Sequence, residues 1–259
     1  MARAGGDVRL TLAGGEIEAR WAGAPAEDAL VLLHEGLGSV AQWRGVPDEL
    51  ARRTGRPVFA YSRFGYGGSS RCALPRPHDY LEREAVDVLP RVLEAAGIRG
   101  GHLVGHSDGA TIALLYAARC APPGLRGLVL EAPHVFVEHA CDDELRRARE
   151  AYERGDLRAR LARYHGDQVD VAFYGWNDTW LDPAYGSWNI EALLPSVRVP
   201  SLVIQGENDR YGTRAHADAI VRRVGAPSTL LLLPCGHTPH RELPEETFGA
   251  IASFLERYP

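Results

Sequence analysis

Cysteine, methionine and long apolar runs are all scarce in this chain. Its four cysteines, Cys72, Cys120, Cys141 and Cys235, are scattered and form no C-x-x-C pair. Neither a structural zinc site nor a disulfide framework is therefore expected, and the thiols are expected to be reduced. A single methionine argues against a soft, promiscuous lipid-binding surface. The opening MARAGGDVRLTLAGG holds no apolar core of signal-peptide length, and no later run is long enough to span a bilayer. A cytoplasmic protein without a membrane partner is expected. Net charge is also small, at -5. Arginine greatly outnumbers lysine but is spread along the chain rather than clustered, so no electrostatic case for nucleic acid arises. Internal repeats and low-complexity tracts are absent.

What is present is length enough, at 259 residues, for one large core or two modest ones. VRLTLAGGEIEARWAG reads as a hairpin. ALVLLHEG is a continuous apolar run of the kind a buried parallel strand shows. WRGVPDELARRTG has helical spacing, with Gly55 placed to end it. RPVFAYSRFGYGGSS is a strand entering a glycine-rich loop. DYLEREAVDVLPRVLEAAGI is a long helix in which Pro90 predicts a kink or break. Strand, helix and strand follow in GGHLVGHS, SDGATIALLYAARC and LRGLVLEAP. The alternation stops from about His134 to Pro195, in a charged, helical and aromatic stretch. It resumes with PSLVIQGEND, RAHADAIVRRVG, STLLLLPCGH and PEETFGAIASFLERY. Such alternation predicts a mostly parallel sheet with helices on both faces. The interruption predicts an inserted helical cap.

Within GHLVGHSDGATIALLYA, Ser107 stands in a G-x-S-x-G pattern where a strand meets a helix. A sharp strand-to-helix turn crowds the residues two before and two after its centre, and only glycine fits there. The turn holds the hydroxyl at the carboxyl end of the sheet, beside unpaired helix N–H groups. On the pentapeptide alone, Ser107 is equally well read as a plain helix N-cap. The strand–turn–helix setting favours a nucleophile, which needs a base to remove its proton. His237 follows the last strand, and Asp209 lies just past the strand before it. All three fall at strand ends, in the order Ser, Asp, His. The backbone N–H groups of Asp108 and Gly36 are the expected oxyanion donors. His34 and Ser39 are expected to brace their loop.

LLHEGLGS, YSRFGYGGSS, GHSDGA, IQGENDRYGT and CGHTPHRELPE together resemble the α/β-hydrolase superfamily, in family order and over nearly the whole chain. The resemblance implies an α/β-hydrolase fold, with residues 1–133 and 196–259 as core and 134–195 as a helical cap inserted after the sixth strand. Glu35 departs from the pattern, standing where the second residue of a His-Gly pair is usual. A serine at 107 excludes dehalogenase and epoxide hydrolase chemistry, which need an aspartate there. The expected activity is hydrolysis of a carboxylic ester or thioester through an acyl-enzyme, with no metal or organic cofactor. Carbon–carbon hydrolysis of ring-cleavage diketones is the enzymatic alternative, and a non-catalytic ligand receptor on this fold is the alternative of another class. A small-molecule substrate is the expected partner, and homodimer formation is left open.

Trp176, Trp180, Tyr174, Tyr185 and Trp188 crowd one part of the cap. They read either as its own small core or as an acyl pocket that excludes water. His134, Arg63, Tyr66 and His240 complete the set of candidate substrate contacts, Arg63 and Tyr66 as holders of an anionic group. Asn177 and Asp178 read equally as substrate contacts or helix caps.

Overall fold

The computed structural model describes residues 5–259. Its eight strands form one sheet in the order β1-β2-β4-β3-β5-β6-β7-β8. The hairpin is there: β1 (Gly6–Leu12) pairs antiparallel with β2 (Gly15–Ala22). Strand β2 then pairs antiparallel with β4 (Val58–Tyr61). From β4 onward all pairing is parallel, through β3 (Asp28–Leu33), β5 (Gly100–His106), β6 (Leu125–Glu131), β7 (Ser201–Gly206) and β8 (Ser228–Leu233).

A strand buried on both faces sends alternate side chains into two cores. In β3, Leu30 and Leu32 enter one core, with Leu50, Phe248 and Ile251. Ala29, Val31 and Leu33 enter the other, with Leu81, Leu89 and Ile220. Helices α1 (Val46–Thr54) and, at the C-terminus, α10 (Pro244–Arg257) supply the first face. Gly55 ends α1 at φ 67°, a left-handed conformation that glycine adopts at least cost.

The helix expected around Pro90 runs on through it, and the irregularity the proline predicts takes the form of a π-helical turn just before it. α2 (Tyr80–Arg83) and α3 (Leu89–Ala95) are separated by a π-helical turn, Glu84–Val88. Pro90 has no N–H to give the ladder, and the π-helical turn just before it is where the regular ladder is interrupted. Helix α4 (Asp108–Arg119) is buried from Asp108 to Ala117. Its alanines and leucines all round match that setting.

Between β6 and β7 run α5 (Asp142–Arg154), α6 (Leu157–His165) and α7 (Val169–Leu181). They close a small core of their own around Leu145, Tyr152, Leu161, Phe173 and Trp176. Entry and exit of this stretch meet at a single antiparallel bridge, Phe136 to Asn189. Helix α8 (Arg214–Arg223) follows β7, and the short α9 (Pro239–Glu242) precedes α10. Among the described residues no helix is long and apolar enough to cross a membrane.

Candidate active site

Ser107 occupies the turn between β5 and α4 with φ 53° and ψ -118°, a conformation costly for a residue with a side chain. The flanking glycines are sterically required. A Cβ on Gly105 would lie 2.4 Å from the Gly109 carbonyl oxygen, and one on Gly109 would lie 1.9 Å from that of Leu33. Ser107 stands at the N-cap position of α4, yet its hydroxyl makes no cap hydrogen bond. The plain N-cap reading of this serine therefore lacks its defining contact.

Asp209 lies past the end of β7, and both its carboxylate oxygens reach His237 Nδ1, at 2.9 and 2.8 Å. The Tyr211 backbone N–H and Gln205 Nε2 also donate to this carboxylate, at 2.8 and 2.9 Å. Burial works against the Asp209 charge, but hydrogen bonding and charge from His237 hold its carboxyl below the usual range. With Nδ1–H committed to an ionised carboxylate, Nε2 of His237 is the free nitrogen. The ring packs against Tyr211 at 4.9 Å. Behind it, His106 Nε2 donates to the His237 carbonyl at 2.7 Å.

Ser107 and His237 open onto one cavity of about 180 Å³. Gly36 and Asp108, the expected oxyanion donors, also line it. Gly36 has to be glycine, because a Cβ there would lie 2.2 Å from the Trp176 indole. Apolar walls come from Leu37, Phe136, Val137, Leu145, Trp176 and Trp180.

His134 lines the cavity as a neutral ring. Burial, together with the charges of His216 and His237, pushes its pKa down to about 3, and its Nε2 donates to the Tyr211 carbonyl at 2.9 Å. The other three suggested contacts are corrected by the fold, since none of them lines this cavity. Arg63 is 2% exposed; its Nη2 donates to the Glu35 carbonyl at 2.8 Å and its Nη1 lies 3.5 Å from Asp108 Oδ2. A guanidinium so occupied has no fork left for a substrate anion. Tyr66 is wholly buried, its ring beneath Arg63 at 4.7 Å and Arg76 at 4.8 Å. His240 is buried against Glu131. His34 does brace its loop, donating from Nδ1 to the Glu35 carbonyl at 2.7 Å and accepting the Arg63 N–H at Nε2. Asn177 and Asp178 tie two helices together: Asn177 bonds Arg149 and the Leu145 carbonyl, and Asp178 pairs with Arg149.

Several wall residues escaped the sequence reading. Tyr211 lies two residues beyond Asp209, and Phe136 and Val137 follow His134 directly; proximity to named residues was their only signal. The Glu138 carboxylate lies 3.1 Å from His216 Nε2 on the same wall. Glu35, noticed only as a departure from glycine, also lines the cavity, with its carboxylate 3.6 Å from His106 Nδ1. Burial opposes both charges, yet each holds the other ionised: Glu35 is driven well below the carboxylate range and His106 is raised. Among the described residues no cluster of three or more His, Cys, Asp or Glu is arranged to hold a metal ion.

A glycine-flanked serine on a strand–turn–helix, with an acid and a histidine beyond successive ends of a mostly parallel sheet, defines the hydrolase class of this fold. The chain belongs to the alpha/beta hydrolase family, whose family model matches residues 30–250. Proline iminopeptidase of Lactobacillus helveticus (strain DPC 4571) is 36% identical over 105 residues, 40% of this chain and 35% of that protein. Serine hydrolase BPHL of Mus musculus is 28% identical over 236 residues, 89% of this chain and 80% of that protein. A solved hydrolase from Pseudomonas aeruginosa PA01 shares the fold at a TM-score of 0.76 with 22% identity, over 98% of this chain and 99% of that one. The matches span between 35% and 52% of the length of the proline iminopeptidases concerned.

Proposed function

We propose that the protein is a serine hydrolase that cleaves a carboxylic ester or thioester with a small apolar or aromatic acyl group. The observation that carries this reading is the two-oxygen contact of Asp209 with His237 on the wall of a cavity shared with Ser107. Ser107 Oγ attacks the carbonyl carbon as His237 Nε2 takes its proton. The developing oxyanion is met by the N–H groups of Gly36 and Asp108. His237 returns the proton to the leaving alcohol or thiol, and the acyl group stays on Ser107. Water, deprotonated by His237, then releases the acid. Asp209 holds the imidazole tautomer and stabilises its cation.

Cavity size supports the acyl class. A dry cavity of roughly 150 Å³ holds a benzene molecule, and this one is about 180 Å³ with aromatic and aliphatic walls. One ring or a short branched chain fits.

A panel of aryl esters, acyl thioesters, ring-cleavage diketones and prolyl arylamides, tested on wild type and Ser107→Ala, decides the substrate class. The reading expects turnover of aryl esters or thioesters that vanishes in the variant. Turnover of diketones or arylamides alone replaces the substrate class, and binding without turnover of any of them supports the receptor reading.

A further inference from the structure

The Gly36 N–H and the Glu35 carbonyl belong to one peptide unit. A trans peptide is planar, with its N–H and C=O pointing opposite ways. Whatever grips the Glu35 oxygen therefore aims the Gly36 N–H. Three donors grip it: Arg63 Nη2 at 2.8 Å, His34 Nδ1 at 2.7 Å and the Gly38 N–H at 3.0 Å. His34 and Gly38 belong to the same loop as Glu35 and move with it. Arg63 alone comes from a different loop, the one following β4. Its guanidinium also lies 3.5 Å from Asp108 Oδ2, on the residue whose N–H is the second donor. Tyr80 Oη donates to the same oxygen at 2.8 Å.

We propose that Arg63 is the positioning residue of the oxyanion hole, setting the Gly36 N–H and the Asp108 turn at a fixed separation. This rests on the acyl-enzyme reading given above. The side chain suits the task, because a planar fork with five N–H donors spans two acceptors in fixed geometry, whereas an ammonium is a single point charge. The arginine is 2% exposed and lies over the Tyr66 ring at 4.7 Å, so little freedom is left to it. Its backbone N–H bonds His34 Nε2 at 3.1 Å, which ties the two loops a second time. Donors held where charge develops stabilise the transition state without reorganising, and small displacements forfeit that advantage.

The test removes the guanidinium without stranding its buried partner. The double variant Arg63→Met/Asp108→Asn deletes both charges together, since one left alone would be strongly destabilising. It is measured against wild type, because Asp108→Asn alone would strand the buried guanidinium. Four quantities are read: kcat and KM on an aryl ester, the affinity of a trifluoromethyl ketone that adds to serine as a tetrahedral oxyanion, the affinity of the matching product acid, and the melting temperature. Loss of a whole oxyanion donor costs roughly 100- to 1,000-fold in kcat, so misplacing one is expected to cost about 10- to 100-fold. Trifluoromethyl ketone affinity should fall by the same factor, while KM and product affinity stay within about twofold. Arg63→Lys, which keeps the charge and loses the fork, should show the same split if the double variant fails to fold. Folded protein in which kcat and ketone affinity are unchanged, or in which product affinity falls equally, overturns the positioning role. Failure of a fluorophosphonate to label Ser107 in the wild type overturns instead the acyl-enzyme reading beneath it.

Discussion

The Glu131 carboxylate lies 2.8 Å from Nδ1 of His240, and both side chains are almost wholly buried. The pair stands beside a second one of the same chemistry, Asp209 with His237, yet only His237 opens onto the cavity. The difference lies in where each acid leaves the sheet. Glu131 is still in register, opposite His106 and Ile204. Asp209 stands beyond the last residue of β7, where the loop carries it toward His237. The backbone N–H of His240 also donates to Glu131, at 3.2 Å, which holds that carboxylate inward.

The two acids should therefore respond differently to removal of charge. Asp209→Asn is expected to lower kcat by about 10⁴-fold by releasing the imidazole tautomer. Glu131→Gln should leave kcat within a few-fold but cost roughly 1–3 kcal/mol of stability, because it weakens a buried charged hydrogen bond. Steady-state rates and urea unfolding of both variants check this. A collapse of kcat in Glu131→Gln, with Asp209→Asn active, reassigns the acid.

The strained backbone of Ser107 predicts a trade between stability and activity. Ser107→Gly should abolish turnover and raise stability by about 1 kcal/mol, because glycine adopts φ 53° without the Cβ penalty. Ser107→Ala should be equally inactive with no such gain. Thermal melts of the two variants side by side are the measurement; a less stable glycine variant contradicts the strain account.

Trp176 belongs both to the small helical core and to the cavity wall. Trp176→Ala should cost roughly 2–3 kcal/mol in kcat/KM for a benzoyl-type ester relative to an acetyl ester, through lost acyl burial. It should also lower the melting temperature, because the indole fills space against Gly36 and Phe173. Equal losses on the two esters would show a purely structural role.

Four buried histidines predict weakness to mild acid. Burial depresses His34, His102, His134 and His165, His102 to about 4 and His134 to about 3. In the unfolded chain each takes its proton near pH 6.5, so below that pH the unfolded state holds more protons. Their contribution is complete above about pH 6.5 and shrinks as pH falls toward the folded values, by up to about 1.4 kcal/mol per unit for each ring. His106 is raised and works in the opposite sense, but it is one against four. Urea midpoints should fall between pH 7 and pH 5, and His102→Gln should flatten that slope. A midpoint independent of pH over this range contradicts the account.

The elements and their order were legible because they are written in local periods. Apolar runs gave the parallel strands, Gly55 the end of α1 and Pro90 the irregular turn before α3. The glycines around Ser107 follow from the crowding of a single turn, and the Ser–Asp–His order follows from the order of strand ends. Side-chain partnership is another matter. Arg63 reads in sequence as a turn arginine free to hold an anion; its burial against Asp108, and its grip on the Glu35 carbonyl, exist only once the loops after β3 and β4 and the turn after β5 are brought together. His240 reads as a substrate contact, and only the register of β6 against its neighbours gives it Glu131 instead. The cavity walls draw on the helical stretch after β6 and the loop after β7. Backbone pattern is set by neighbours a few residues away, and so it survives in the one-dimensional string. Which charge finds which partner depends on strand register and loop path across the whole sheet, and the tertiary structure alone decides it.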